Sequence, residues 1–235
     1  MTTIHIAAVG DIHFGPDAAG TLRPHLEHLG ERADLLLLAG DLTRVGTADE
    51  ARALAEELSD VDIPMVAVLG NHDFRVGADA VTSALRRKHI EVLRNQHVAI
   101  QFGGSSLYVA GVDDYGYGAD VRRAVRGIPR DSATVLLAHN PRIIHLASRH
   151  GVSLVLSGHT HGGQVNLPLL GTVYGRSPER LRYKIGWDRL GPTQIYVNRG
   201  IGTIVLPWRL RCPAEITHLE LLPGTSEGCQ HAAAD

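Results

Sequence analysis

The chain of 235 residues lacks several things that such a chain can be built on. It has two cysteines, Cys212 and Cys229, too few for a disulfide framework or a cysteine-rich zinc site. Lysine is almost missing: Lys88 and Lys184 are the only two, so 21 of the 23 basic residues are arginine. Against 25 acidic residues this leaves a net charge of -2, with no electrostatic footprint for nucleic acid or an anionic membrane. No stretch approaches the ~20 consecutive apolar residues of a transmembrane helix. Met1-Thr2-Thr3 leads straight into Ile4 to Val9 without a basic n-region or long h-region, so no secretory signal is legible. The expectation is a cytoplasmic protein, with peripheral membrane association as the secondary reading.

Histidine, by contrast, is abundant at fourteen residues. It is the commonest metal ligand and the usual acid/base group near neutral pH, so the excess asks for an explanation. With 44% hydrophobic and 20% charged residues the chain is an ordinary globular one, long enough for a continuous core.

Short apolar runs alternate with helical patterns. The runs are Ile4 to Val9, Leu35 to Ala39, Ile63 to Leu69, Leu107 to Val112, Thr134 to Ala138 and Leu154 to Leu156. Most are apolar on both faces, as strands buried inside a layered sheet are. Thr47 to Leu58 reads as a helix, with Thr47 as N-cap and Glu50 three residues on in capping-box spacing. Weaker helical patterns run over Asp79 to Lys88, Asp120 to Arg126 and Arg142 to His150. Val92 to Phe102 and Leu107 to Val112, separated by Gly103-Gly104-Ser105, read as a hairpin. Gly162 to Trp208 is rich in Gly and Pro, and Ile195 to Asn198 and Glu215 to Leu222 close the pattern as strands. Residues 1–224 thus read as one α/β domain and 225–235 as a frayed polar tail.

The ends of those runs carry the chemistry. After Val9 comes Gly10-Asp11-Ile12-His13, and after Leu38 comes Ala39-Gly40-Asp41. Leu69 is followed by Gly70-Asn71-His72-Asp73, Ala138 by His139, and Ser157 by Gly158-His159-Thr160-His161. Each piece alone reads more simply as a turn or a helix cap, since Asp, Asn and Gly favour both. Five in order, each at a strand end, are a different matter, because sites in open α/β sheets gather at the carboxyl ends of the strands.

This ordered set resembles the calcineurin-like metallophosphoesterases. The resemblance implies a four-layer α/β/β/α sandwich with a two-metal site at the sheet edge. Carried over, it gives one metal to Asp11, His13, Asp41 and His161, and the other to Asp41, Asn71, His139 and His159, with Asp41 bridging. Two cations ~3.5–4 Å apart clamp the attacking and leaving oxygens of an in-line phosphoryl displacement, and the resemblance implies a metal-bridging hydroxide as nucleophile. Imidazole and carboxylate without thiolate suit Mn, Fe or Zn. The resemblance makes His72 the general acid at the leaving oxygen, with Asp73 orienting its ring.

Gly162-Gly163-Gln164, Tyr196 to Gly202, Pro207-Trp208-Arg209 and Cys212 to Ile216 look like a bacterial branch of small phosphodiesterases, some acting on nucleotide-sugar lipids. The chain departs from that branch at Pro213-Ala214, where Arg-Pro is expected, and in showing no N-terminal export signal or anchor. The expected activity is hydrolysis of phosphodiester or nucleotide-linked substrates, whether small molecules or lipid-linked. A phosphomonoesterase or phosphoprotein phosphatase is the alternative, and a non-catalytic metal-binding scaffold a further one.

Outside the resemblance, Arg44, Arg75 and Arg142 each stand within three residues of a metal-loop motif and could hold a substrate phosphate bidentately. Gly162-Gly163-Gln164 reads equally as a tight turn, and Asp113-Asp114 with Tyr115 and Tyr117 as a turn after a strand. Trp208 with Val205 and Leu206 reads first as core packing, with an exposed lipid-facing lip as the alternative, and Cys212 as a small core hydrophobe.

Overall fold

The computed structural model describes residues 3–167, 171–172 and 182–222. Among the described residues there are thirteen strands: β1 (Ile4–Val9), β2 (Leu35–Ala39), β3 (Met65–Val68), β4 (Ile90–Val92), β5 (Gln96–Phe102), β6 (Ser105–Gly111), β7 (Ala133–Leu137), β8 (Leu154–Ser157), β9 (Asn166–Leu167), β10 (Gly171–Thr172), β11 (Gly186–Leu190), β12 (Thr193–Val197) and β13 (Thr217–Leu221). The helices are α1 (Arg23–Leu26), α2 (Ala48–Glu57), α3 (Ala78–Arg86), α4 (Val121–Ala124) and α5 (Ile144–Arg149).

Two sheets account for most of the strands. One has the order β13-β1-β2-β3-β4 and the other β11-β12-β8-β7-β6-β5. Strands β1 to β4 run parallel, as do β6, β7, β8 and β12, so each sheet presents a row of carboxyl ends.

Strand periodicity explains the layering. Successive side chains point to opposite faces, so a strand apolar at every position can feed two cores. In β2, Leu36 and Leu38 pack under α2 and α3 with Leu54 and Leu85, whereas Leu35, Leu37 and Ala39 face the second sheet. Strand β7 mirrors this: Val135 and Leu137 join the intersheet core, and Leu136 packs under α4 and α5 with Ala124 and Ile144. Three apolar layers therefore separate four layers of structure, the α/β/β/α sandwich.

Local signals hold where they are strongest. At α2 both capping-box bonds form between Thr47 and Glu50. The expected helices over Asp120 to Arg126 and Arg142 to His150 shrink to α4 and α5, short segments held by packing on the second sheet. The expected hairpin forms as β5 and β6, but it starts at Gln96, because Ile90–Val92 belongs to the first sheet and the chain changes sheets at Asn95. Asn95 takes a left-handed φ of 53°, and its buried amide bonds Asp113, Gly118 and Asp120. The 225–235 tail and Cys229 lie outside the described residues.

The segment around Trp208 departs from the core packing expected first. Val205 is 77% exposed and Trp208 48%, so they do not pack into the core. Among the described residues no sheet or helix passes over this segment to cover it.

Leu37 is fully buried between the sheets. Leu37→Ala should lower unfolding free energy by about 2–5 kcal/mol in urea titrations, since neither sheet can collapse onto the gap. A loss below about 1 kcal/mol would mean the sheets are not locked together there.

Candidate metal centre

The strand-end loops meet at one place, and their backbones are held in unusual conformations. Asp11, His13, Asp41, His159 and His161 all have positive φ, at 49°, 49°, 48°, 73° and 52°. Each such residue costs ~1–2 kcal/mol, and persists only where surrounding bonds over-determine it. Those bonds are present. Asp11 and His13 donate their N–H groups to the Gly40 and Asp41 carbonyls, extending the β1–β2 pairing past the strand ends. Across the two sheets, His159 donates its N–H to Asp11 Oδ1 at 3.1 Å. Buried Asn198, just after β12, accepts from Gly10 N–H and donates to Thr217 Oγ1 at 2.7 Å.

Two clusters of ligand atoms result. His13 Nε2 and His161 Nε2 are 3.0 Å apart, with Asp11 Oδ1 3.7 Å from the latter and Asp41 Oδ2 3.5 Å from the former. Next to them His139 Nε2 lies 2.9 Å from His159 Nδ1, 3.3 Å from Asn71 Oδ1 and 3.4 Å from the same Asp41 Oδ2. His139 Nδ1 donates to the Ala39 carbonyl at 3.0 Å, which turns the Nε2 lone pair toward the cluster.

These donors suit divalent cations. Each facing pair of imidazole nitrogens can be satisfied by one proton at most, and a cation ~2.0–2.1 Å from both nitrogens replaces it. Asp11 Oδ2 and His161 Nδ1 are buried without a hydrogen-bond partner. Three residue groups, Asp11-His13-His161, His13-Asp41-His72 and Asp41-His139-His159, bring their ligand atoms within 4.8 Å of one another.

The electrostatics agree. Burial pushes His13 down to about 4 and His161 to about 2, so both are neutral and open to metal at physiological pH. Burial opposes charge on His139 as well, but the Asp41 and Asp11 carboxylates outweigh it and push the ring up to about 10. Burial also works against the Asp41 carboxylate, yet the His139 charge and hydrogen bond hold it well below the usual range. Asp11 rises to about 7, chiefly through burial, with Asp41 adding to it.

His72 stands beside the clusters, its ring edge-on to His13 with centroids 4.5 Å apart. Its Nδ1 donates to the Arg44 carbonyl at 2.7 Å, and Arg75 Nη2 lies 2.8 Å from its Nε2. The group that orients this ring is therefore the Arg44 carbonyl and not Asp73, a correction to the sequence expectation. The Asp73 carboxylate turns inward and accepts from the N–H groups of Leu42, Thr43 and Gly70 and from the Thr43 hydroxyl. Its pKa rises to about 6, through burial first and then Asp41. Asp73 thus ties the β2 and β3 loops together from beneath.

The arginines separate. Arg75 lines a cleft of about 200 Å³ with Asp41, Asn71, His72, His159 and Lys184. Arg44 lines an adjoining cavity of about 340 Å³ with His13, His72 and Val205, its guanidinium paired with Asp17 at 2.6 Å. Arg142 lies over the Tyr115 ring, 5.0 Å from its centre, and lines neither cavity. Asp114 accepts from Gly116 N–H, the turn expected there. Sequence reasoning gave no role to Lys184, Asn198 or Arg209. Arg209 donates to the Gly202, Arg199 and His161 carbonyls. Buried Cys212 is more than a core filler, because its Sγ donates to the His161 carbonyl at 3.1 Å. Asn198 and Arg209 stood inside motifs that the resemblance already singled out, and Lys184 was visible as one of two lysines in the chain, but none of the three had a role assigned.

The sequence model described as calcineurin-like phosphoesterase matches residues 4–163, which hold all five loops. The chain belongs to that family. Among its relatives, this calcineurin-like phosphoesterase is 33% identical over 231 residues to an uncharacterized metallophosphoesterase of Aquifex aeolicus, covering 92% of this chain and 84% of the relative. It is 30% identical over 226 residues to the phosphodiesterase YaeI of Escherichia coli, covering 92% and 82%. Its fold is similar to that of a 5'-nucleotidase precursor from Thermus thermophilus, with a TM-score of 0.56, 16% identity, and coverage of 94% of this chain and 54% of that one. It spans about half of that protein. A second neighbour, TT1561 of the same organism, gives a TM-score of 0.55 at 17% identity, covering 85% and 90%. Family membership makes the chain a phosphoester hydrolase with metal-binding residue clusters. Among the described residues no helix is long and apolar enough to cross a membrane.

Two glycines separate steric contact at the site from backbone strain alone. A Cβ on Gly200 (φ +71°) would stand 2.5 Å from Asp11 Cβ, whereas one on Gly20 (φ +79°) meets nothing within 4 Å. Gly200→Ala should therefore lose bound metal by mass spectrometry, while Gly20→Ala carries similar backbone strain, ~1–2 kcal/mol, and keeps it. Equal metal content in both variants would detach Asp11 from metal binding.

Metal binding should also move protons. His139 is raised to about 10, so the metal-free protein carries its proton at pH 7.5, and ligation through Nε2 must expel it. Calorimetric titration with Mn²⁺ in buffers of different ionisation heat should report about one proton released per chain, and affinity that falls as pH falls. Uptake without proton release would remove His139 from the ligand set.

Proposed function

We propose that this chain is a dinuclear metal-dependent phosphodiesterase acting on small diester or nucleotide-linked substrates. The observation that carries the reading is the pair of donor clusters that share Asp41 and open onto a cleft lined by His72 and Arg75. Asp11, His13, Asp41 and His161 would hold one cation, and Asp41, Asn71, His139 and His159 the other. Nitrogen and oxygen donors without thiolate favour Mn, Fe or Zn. Divalent cations bound there supply Lewis acidity to the phosphoryl oxygens and activate water.

The protein's own groups do the rest. Asp41 Oδ2 faces both clusters while its Oδ1 accepts the His72 N–H, and the neutral Asn71 amide adds a donor without further charge to repel a phosphate. Arg75 and Lys184 line the cleft, and Arg75 pairs bidentately with non-bridging oxygens once substrate draws it from His72. His72, its Nδ1–H held by the Arg44 carbonyl, takes a proton from solvent at Nε2 once Arg75 has left it, and gives that proton to the leaving oxygen. A diester carries two substituents on phosphorus, and the two cavities that meet at His72, Arg75 and Ile204 give each one a place. The name of the relative YaeI, a phosphodiesterase, points the same way.

The test compares bis(4-nitrophenyl) phosphate with 4-nitrophenyl phosphate in Mn²⁺. The diester should be the better substrate by kcat/KM. His72→Ala should lower kcat about 10²–10⁴-fold while both metals stay bound. A preference for the monoester would overturn the diesterase reading, and loss of metal in His72→Ala would overturn the acid role.

A further inference from the structure

Residues 203–208 form a loop whose Ile204 walls the cleft, yet hydrophobic burial does not hold the loop there. The segment contains no strand or helix, Val205 and Trp208 point to solvent, and Val205 takes a left-handed φ of 61° that a β-branched side chain strongly resists. Ile204 lines both the metal cleft and the adjoining cavity, which Thr203 and Val205 also line. An irregular segment with outward apolar side chains needs some other source of position.

That source is one side chain. Gln164 is fully buried, three residues after His161, whose carbonyl accepts the Gln164 N–H at 2.9 Å. Its Nε2 shares two hydrogens among the carbonyls of Ile204 (3.1 Å), Leu206 (2.8 Å) and Trp208 (3.1 Å). Its Oε1 accepts the Ile204 N–H at 2.8 Å, and its own carbonyl accepts Leu210 N–H at 2.9 Å. The Arg209 guanidinium closes the base of the loop on the Gly202, Arg199 and His161 carbonyls. A buried primary amide carries two N–H donors and an acceptor oxygen in one neutral group, so it can serve both edges of such a turn.

We infer that Gln164 is a positioning residue that locks the wall formed by residues 203–208 to the His159–His161 loop, and that this wall selects substrates by the bulk of the substituent lying against Ile204. The selectivity half of this inference rests on the phosphodiesterase reading; the anchoring half does not. Glutamate at this position keeps the acceptor but sets a carboxylate against three carbonyl oxygens, whereas alanine removes every side-chain bond.

The test uses the full chain with Trp187→Phe, which leaves Trp208 as the sole tryptophan reporter, combined with Gln164→Glu or Gln164→Ala. Trp208 anisotropy should fall and acrylamide quenching rise about twofold in both variants, with metal content unchanged. KM for bis(4-nitrophenyl) phosphate should rise about tenfold, against less than about twofold for methyl 4-nitrophenyl phosphate, with kcat the less affected. Unchanged Trp208 signals would overturn the anchoring. Equal losses on both diesters through kcat, or loss of metal, would mean Gln164 merely supports the fold. If the unsubstituted chain hydrolyses neither diester, the phosphodiesterase reading fails and takes the selectivity claim with it, while the Trp208 signals still decide the anchoring.

Discussion

The N–H of His159 reaches across from the second sheet to the Asp11 carboxylate at the end of the first, and the candidate metal centre depends on that join. Asp11 is fully buried, bound through its own N–H to Gly40 and through its carbonyl to Gly202. It therefore senses β1, β2, β8 and the segment after β12 at once. A shift of one sheet against the other would move the two ligand clusters apart, because each draws donors from both sheets. The intersheet core of Leu35, Leu37, Leu107 and Leu137 suppresses that shift, since close-packed interiors deform little.

Stability and site chemistry pull against each other here. Five left-handed non-glycine residues and several buried titratable groups gather within a few ångströms. Such concentrations of strain and desolvation are a mark of functional sites and are sustained by the surrounding scaffold. Rigid strands end two to four residues before each of these residues, and Asp73, Asn198, Gln164 and Arg209 brace the loops from behind with hydrogen bonds to backbone. None of these four makes a donor cluster with the metal-loop histidines, yet each fixes a loop that carries or faces one.

Much of this was legible along the chain. Strands apolar on both faces announce a buried, layered sheet, and the capping box at Thr47 marks the start of α2 because both effects act within a few residues. The set Asp11, His13, Asp41, Asn71, His139, His159 and His161 was legible because each member stands just beyond an apolar run. The role of Asp73 was not, since its carboxylate turns inward to N–H groups some 30 residues distant in sequence. Nor was the fate of the three arginines. Proximity in sequence placed them alike, whereas the loops send Arg75 to the cleft, Arg44 to the next cavity and Arg142 onto Tyr115.

The abundance of histidine shows where the boundary falls. Five of the fourteen, His13, His72, His139, His159 and His161, meet at one place, and position at strand ends singled them out. By itself the sequence determined the layered α/β architecture and the residue types at each strand end, because periodicity and turn chemistry are local. Only the tertiary structure decided which nitrogen of His139 faces the cluster, which carbonyl orients His72, and that a buried glutamine holds an exposed wall. Those outcomes depend on hydrogen bonds between groups distant in the chain, and only a particular packing of the two sheets brings such groups together.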